Sequence, residues 1–416
     1  MASMQEYVHK QFRYNFGIGM LDAAFFGFAW GFSSFGTIIP LFISQMTDSA
    51  ILIGLIPAIH AVGWQLPQLF TANQIARLRR YKPLVMLMTI QERIPFIGLA
   101  LAAWMFPRLG AAIILPLTFL LLIWQGLGSG FTANPWQSMI AKIIPAEARG
   151  SFFGSQAAVA NIVISLTAIL AGYLLDRFQS PLDFALCFGI ASLGYALSMA
   201  TLSFTREPYD DEKHIPETQP PLFQGMLNIL RRDRNFAAFM AVRVLYQFAT
   251  MGFAFYIVYA LRKFNMDTIT AGFMTAALTI AQTIANAGMG WLSDRVGHKK
   301  ILVIGMLAVA LSSLLAWGAP SLNWFYLVFI ISALANVAYW TIGMVLVVEF
   351  GTETERPIYI GMSNTLVAPF TILAPILGGW IAEAFGYQST FLLSALGGVL
   401  VTLMMIFLVK DPHPAG

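Results

Sequence analysis

Runs of about 18 or more apolar residues recur along almost the whole chain, and each is long enough to cross a hydrocarbon core of roughly 30 Å as a helix. Apolar residues make up 58% of the 416 positions and charged residues only 11%, against roughly 25% charged in soluble domains. A water-soluble fold of this composition would have no surface to show. The fold class is therefore an all-α membrane protein with about 12 transmembrane helices. The first run, 15 to 43, is too long for a signal-peptide core and no small-residue cleavage pattern follows it, so it reads as a retained first helix.

Breaking the runs at charges, glycines and prolines predicts helices over 15–43, 50–72, 83–106, 110–133, 152–175 and 182–204. A second set covers 235–261, 269–292, 300–317, 323–348, 358–384 and 388–409. Between the sets, 205–234 is the only long polar segment, with Asp210, Asp211, Glu212 and several prolines. It reads as a linker between an N-terminal bundle (1–204) and a C-terminal bundle (235–416). Its end places Phe223, Met226, Leu227 and Leu230 at helical spacing before Arg231, Arg232 and Arg234, the pattern of an interfacial amphipathic helix. With this topology about 18 of the 24 Lys and Arg fall in the termini and the loops after even-numbered helices. Both termini and the linker are expected to be cytoplasmic, in a multi-pass protein of the plasma or inner membrane. The net charge of +4 is spread over short loops rather than gathered in a patch, which argues against nucleic-acid binding. No G-x-x-x-x-G-K-[ST] loop occurs, so transport driven directly by ATP is not expected. Cys187 is the single cysteine, with no Cys or His at ligand spacing. A buried structural thiol is expected, and no metal or cofactor.

The two halves repeat one another. Ala146-Glu147-Ala148-Arg149-Gly150, with Gly154 following, aligns with Glu353-Thr354-Glu355-Arg356-Pro357 and Gly361 at a shift of about 207. The same shift puts Ala171-Gly172 on Gly378-Gly379 and Asp176 on Glu383. The loop between helices eight and nine, GWLSDRVGHKK, holds Gly290, Asp294, Arg295, Gly297, Lys299 and Lys300. It resembles the signature of the major facilitator superfamily, with His298 where an Arg is usual. The matching loop NQIARLRRYKPL keeps Arg77 and Lys82 but has Ala76 in place of the acid. The Arg149-Gly150 and Arg356-Pro357 elements are also similar to that family, and the resemblance covers the whole chain. It implies two six-helix bundles related by pseudo-twofold symmetry, a monomer in the lipid bilayer, and alternating access to a cavity lined by helices one, four, seven and ten.

At the end of helix eight, Asp294 can accept hydrogen bonds from the unpaired N–H groups starting helix eleven. Arg295 then needs a carboxylate, and Glu349 is the candidate. On the repeat, position 349 maps onto Lys142 and position 294 onto Ala76. The first half has lost both acids, so a cytoplasmic charge cluster is expected on one side only. Loop charges that merely fix topology are the competing reading.

Inside the membrane, Asp22 lies about 10 Å into helix one and Arg243 about 12 Å into helix seven. An unpaired charge at a helix centre costs roughly 2.5 to 3.5 kcal/mol, so each is expected to face a cavity or a partner. Because the resemblance puts helices one and seven beside the cavity, the two residues are expected to approach each other; snorkelling to the interface competes. Glu92 and Arg93 are deeper, about 14 Å from Pro83. Neighbours on a helix diverge by about 100°, so each needs its own partner. Helix three is peripheral in the family, which implies a structural role for both. His60 can titrate near neutral pH, with a packing role as the alternative.

If the resemblance holds, the cavity-lining helices contribute Ser33, Ser34 and Thr37; Trp124, Gln125, Asn134 and Trp136; Tyr246, Gln247, Tyr256 and Tyr259; and Asn336, Tyr339 and Trp340. Aromatics beside amides and hydroxyls suit a sugar-like solute or an amphipathic aromatic one. The reading is a secondary transporter of a small organic solute, proton-coupled. A drug or metabolite efflux antiporter is the alternative, although the Gly-Pro-rich stretch that such antiporters carry on helix five is reduced here to Ala171-Gly172. From other classes, a membrane enzyme would need clustered catalytic groups, which are scattered here, and a transporter-like receptor stays open.

Overall fold

A computed structural model describes residues 4–76, 78–145, 148–209, 229–350 and 356–411. The chain forms α1 (Met4–Phe32), α2 (Ile38–Ser44), α3 (Ala50–Ala76), α4 (Lys82–Leu109), α5 (Ala111–Ile143), α6 (Arg149–Arg177) and α7 (Leu182–Ser203). There follow α8 (Arg234–Ala249), α9 (Tyr256–Phe264), α10 (Thr268–Val296), α11 (His298–Trp317), α12 (Trp324–Val337), α13 (Gly343–Glu349), α14 (Arg356–Phe385) and α15 (Tyr387–Phe407). Among the described residues, eleven segments are long and apolar enough to cross a membrane. The expected first span, α1, is not among these eleven, because Asp22 and its glycines dilute its apolar character. In lipid a backbone must satisfy its own polar groups, which is why every span is helical. The expected interfacial helix at 222–234 lies mostly outside the described residues.

Three pairs of helices turn on one glycine each, Gly110, Gly297 and Gly386, with φ of +72°, +96° and +84°. That left-handed region is open to glycine and strained for most other residues, so these hairpins stay tight. Three expected spans are interrupted. The first breaks at Ser33–Thr37 before α2. The seventh passes through a 3-10 turn at Met251–Phe255, where the Gly252 amide donates to Ser394 Oγ at 2.9 Å. The tenth holds a π turn at Ala338–Ile342, a local widening that exposes carbonyls and often marks working sites.

The chain packs as two compact units. Unit 1 is Met1–Met46, Ile59–Glu217 and Asp267–Ala276; unit 2 is Thr47–Ala58, Thr218–Met266 and Ala277–Gly416. In unit 1, α1 packs on α6 and α7, and α4 on α5 and α7; in unit 2, α11 packs on α12 and α15, and α8 on α14 and α15. Lipid-soluble helices gain little by hiding apolar surface from each other, so close approach through small residues carries the packing. In unit 1 a Cβ on Gly172 or Gly272 would fall 2.5 Å from the Thr268 or Ala168 carbonyl oxygen. In unit 2 a Cβ on Gly379 would fall 2.4 Å from Ile51 Cα. The second crossing is also tied by Glu383 Oε1, which accepts from Ser49 Oγ at 2.6 Å and the Ile51 amide at 3.3 Å.

Candidate functional site

Unit 1 holds an open cavity of about 500 Å³ lined by α1, α3, α4, α5, α6 and α7, within the range of small-molecule sites. Its walls are aromatic, with Phe26, Trp30, Trp64, Trp136 and Phe153, and it holds Asp22, His60, Glu92 and Arg93. Helical geometry brings them together. Asp22, Phe26 and Trp30 are four residues apart on one stripe of α1, and Thr89 and Arg93 share a stripe of α4.

The charges are buried and engaged. Ser198 Oγ donates to Asp22 Oδ1 at 2.5 Å, and Arg93 is the cation acting on both Asp22 and Glu92. Arg93 Nη1 donates to the Tyr195 carbonyl at 2.8 Å, and the Ser129 and Thr132 hydroxyls reach Glu92. His60 Nδ1 lies 3.0 Å from Gln125 Oε1, its ring 4.3 Å from that of Phe35. Two carboxylates thus face one guanidinium in a space walled by rings.

Within unit 1, Asp22 accepts from Ser198 of α7 and lies in the field of Arg93 of α4. One expectation is corrected here: Glu92 and Arg93 are not peripheral, since that face of α4 lines the cavity. Trp124 departs from expectation too. It is 38% exposed and donates to Gln91 Oε1 at 3.0 Å, because the next residue, Gln125, takes the buried direction. Asn134 donates to the Gln68 carbonyl at 3.2 Å. Sequence reasoning missed Ser198, Thr89, Trp30 and Trp64. The i, i+4 spacing of Thr89 and Arg93 was a legible signal; Ser198 had none.

In unit 2, Arg243 is 3% exposed, and no described carboxylate lies within ion-pair distance. Its guanidinium lies 4.7 Å from the Tyr339 ring centre, and Nη1 faces Met344 Sδ at 3.8 Å. Tyr339 stacks on Tyr246 at 4.3 Å and accepts from Gln247 Nε2 at 2.7 Å. Thr371 Oγ1 donates to Gln247 Oε1 at 3.3 Å. Asn336 is half-buried, and Trp340 is 37% exposed with its ring edge-on to Tyr339.

At the loop ends the expected Arg295–Glu349 pair is replaced. Glu349 Oε1 meets His298 Nδ1 at 2.7 Å, while Arg295 lies 3.8 Å over the Trp291 ring. The one-residue turn at Gly297 aims His298, the first residue of α11, at the end of α13, whereas Arg295 folds back along its own helix. Lys299 Nζ reaches the Ile406 carbonyl at 3.2 Å, and Lys300 is exposed. Arg149 donates to the Ala141 and Ile144 carbonyls that end α5, where a cation suits the helix dipole. The Asp294 and Arg356 side chains lie outside the described residues, as does the loop before α14.

The first half does contain an acid at this place, from an unexpected source. Glu207, three residues into the linker, is buried and accepts the Tyr81 amide at 2.8 Å and the Lys82 amide at 2.7 Å. Lys142 Nζ lies 3.2 Å from Glu207 Oε1. The charge that the repeat lost at Ala76 and Lys142 is met by a residue outside the repeat.

A family profile described as Major Facilitator Superfamily matches residues 91–262 and 242–416. Multidrug resistance protein 2 of Bacillus subtilis (strain 168) is 25% identical over 147 residues, 35% of this chain and 36% of that protein. Solute carrier family 67 member A1 of Homo sapiens is 29% identical over 146 residues, 34% of each chain. The chain thus matches about a third of the length of such relatives. Among solved structures, a variant of the nucleoside transporter NupG has a TM-score of 0.73 at 14% identity, covering 95% of this chain and 100% of that one. A D-xylose-proton symporter has a TM-score of 0.70 at 17% identity, covering 95% and 98%. At such identities the likeness is one of fold.

Proposed function

Because this chain belongs to the major facilitator superfamily, we propose that it is a proton-coupled secondary transporter of a small amphipathic aromatic solute, working by alternating access rather than as an enzyme. The observation that carries this reading is the cavity of unit 1, where aromatic walls surround two carboxylates opposed by one guanidinium. Rings stack the solute. The carboxylate left without a cation can be neutralised by a proton or by a cationic group on the solute. Competition between the two links one flux to the other without any covalent step. A sugar is less well supported, since His60 and Gln125 are spent on each other. The efflux direction is a second reading, favoured by relatives that are named multidrug resistance proteins.

On this proposal residues 1–204 and 235–416 act as two bundles and both termini are cytoplasmic. Flux into proteoliposomes tests it, with phenethyltrimethylammonium, glucose and xylose measured with and without a pH gradient. Gradient-dependent movement of the aromatic cation is expected. Movement of the sugars alone would overturn the solute class, and movement of none of them would favour a receptor.

A further inference from the structure

Gln125 engages only one of the two ring nitrogens of His60. Nδ1 lies 3.0 Å from Gln125 Oε1; a carboxamide oxygen only accepts, so Nδ1 carries the proton and donates it. No described carboxylate lies within ion-pair distance of the ring to hold a second proton there. A ring protonated at Nδ1 alone keeps a lone pair on Nε2. The buried unpartnered side-chain polar atoms among the described residues are Thr37 Oγ1, Gln65 Oε1, Thr89 Oγ1, Arg93 Nε and Arg243 Nε. Nε2 of His60 has no described partner either, yet it is not among these sealed atoms. The residue is half-buried and lines the cavity of unit 1, so this lone pair is open to whatever the cavity holds. The ring is also held in place. Phe35 lies 4.3 Å from it, tilted by 31°, and Trp30 stands edge-on at 5.2 Å. Gln125 is 1% exposed, and beside the pair α3 and α5 meet so closely that a Cβ on Gly63 would fall 2.5 Å from the Gly126 carbonyl carbon.

We propose that His60 Nε2 is a specificity-determining acceptor for a hydroxyl group borne by the ring of the transported aromatic solute. A phenolic O–H lies in the plane of its ring, so the ring can lie against the aromatic walls while the hydroxyl donates at its edge. A cationic group on the same solute would be drawn instead to the carboxylates, Asp22 and Glu92, that line the cavity. The assignment rests on the aromatic-solute reading and adds a substituent to it.

A matched pair of ligands tests it: phenethyltrimethylammonium and its 4-hydroxyphenethyl counterpart share the ring and a quaternary nitrogen without N–H, and differ by the hydroxyl. Calorimetric titration of the purified full chain is expected to show a preference for the hydroxylated ligand of about three- to tenfold, the size of one hydrogen bond. His60→Asn keeps a polar group near the Nδ1 position for Gln125 and loses Nε2. It is expected to cut the preference below about twofold. His60→Gln, whose longer amide reaches toward the Nε2 position, is expected to restore part of it. A packing role for His60 would weaken both ligands alike and leave their ratio unmoved. Equal affinities in the unmodified protein, or a ratio that survives His60→Asn, overturn the acceptor and leave the aromatic-solute reading standing. Binding of neither ligand to the unmodified protein overturns both.

Discussion

Replacing Glu207 by alanine is expected to destabilise the protein by about 3 to 5 kcal/mol, the cost of removing one partner from a buried ion pair. The carboxylate side chain is fully buried, at 0% exposure, and Lys142 beside it is only 11% exposed, so water cannot replace the acid. Two amides at the start of α4 lose a charged acceptor as well, and bonds to charged groups contribute about 1.5 to 3 kcal/mol each. Arg80, at 4.0 Å and 47% exposed, adds little because solvent screens it. Glu207→Gln keeps an acceptor oxygen and should cost about 1 to 2 kcal/mol. Lys142 also donates to the Arg79 carbonyl at 2.8 Å, so Lys142→Met combined with Glu207→Ala should cost less than the sum of the single changes. Unfolding by SDS titration in mixed micelles compares the unmodified protein with the three single variants and the double one. A loss below 1 kcal/mol for Glu207→Ala, or strictly additive single changes, would refute the reasoning.

Asp22→Asn is expected to abolish gradient-driven accumulation while leaving exchange of the aromatic cation measurable, by flux in proteoliposomes; unchanged accumulation would move the proton site to Glu92. Ser198→Ala removes the hydrogen-bond donor to Asp22 and should cost about 1 to 3 kcal/mol in the same SDS titration, because a buried carboxylate then loses a partner. Arg243→Met should hold stability within about 1 kcal/mol, since it removes a buried charge and strands no described acid; a loss above 2 kcal/mol would point to a partner beyond those described. Gly172→Leu and Gly379→Leu are each expected to lower the melting temperature, because their Cβ atoms would overlap the facing backbone; unchanged melting would show that the crossings yield.

The spans were legible because lipid imposes length and apolar character on every one of them. The breaks in the first, seventh and tenth spans were not, since each depends on a tertiary partner, such as Ser394 for the Gly252 amide. Ionisable residues at membrane depth announced a site, and Asp22, His60, Glu92 and Arg93 do share one cavity. The groups each would meet inside its own unit were not legible, because depth along a helix says nothing of direction around it. Within unit 1 Asp22 meets Ser198, and within unit 2 Arg243 turns to Tyr339. Glu207 was invisible for another reason. Reading the repeat directed attention to positions with a counterpart in the other half, and this acid has none.

The crossings at Gly172 with Gly272 and at Gly379 with Ile51 bring backbone against backbone, with no side chain of either glycine inserted into the facing helix. Interlocked side chains part only after rotamers change and a hole opens behind each withdrawn knob, which makes separation abrupt and slow. A seam of bare backbone has no knobs to withdraw. It can slide or hinge while its dispersion attraction weakens a little at a time, and it can close again in the same register because nothing has to be re-threaded. The glycines would then set the ease of repeated opening more than the strength of the closed state, and larger residues there would act as wedges.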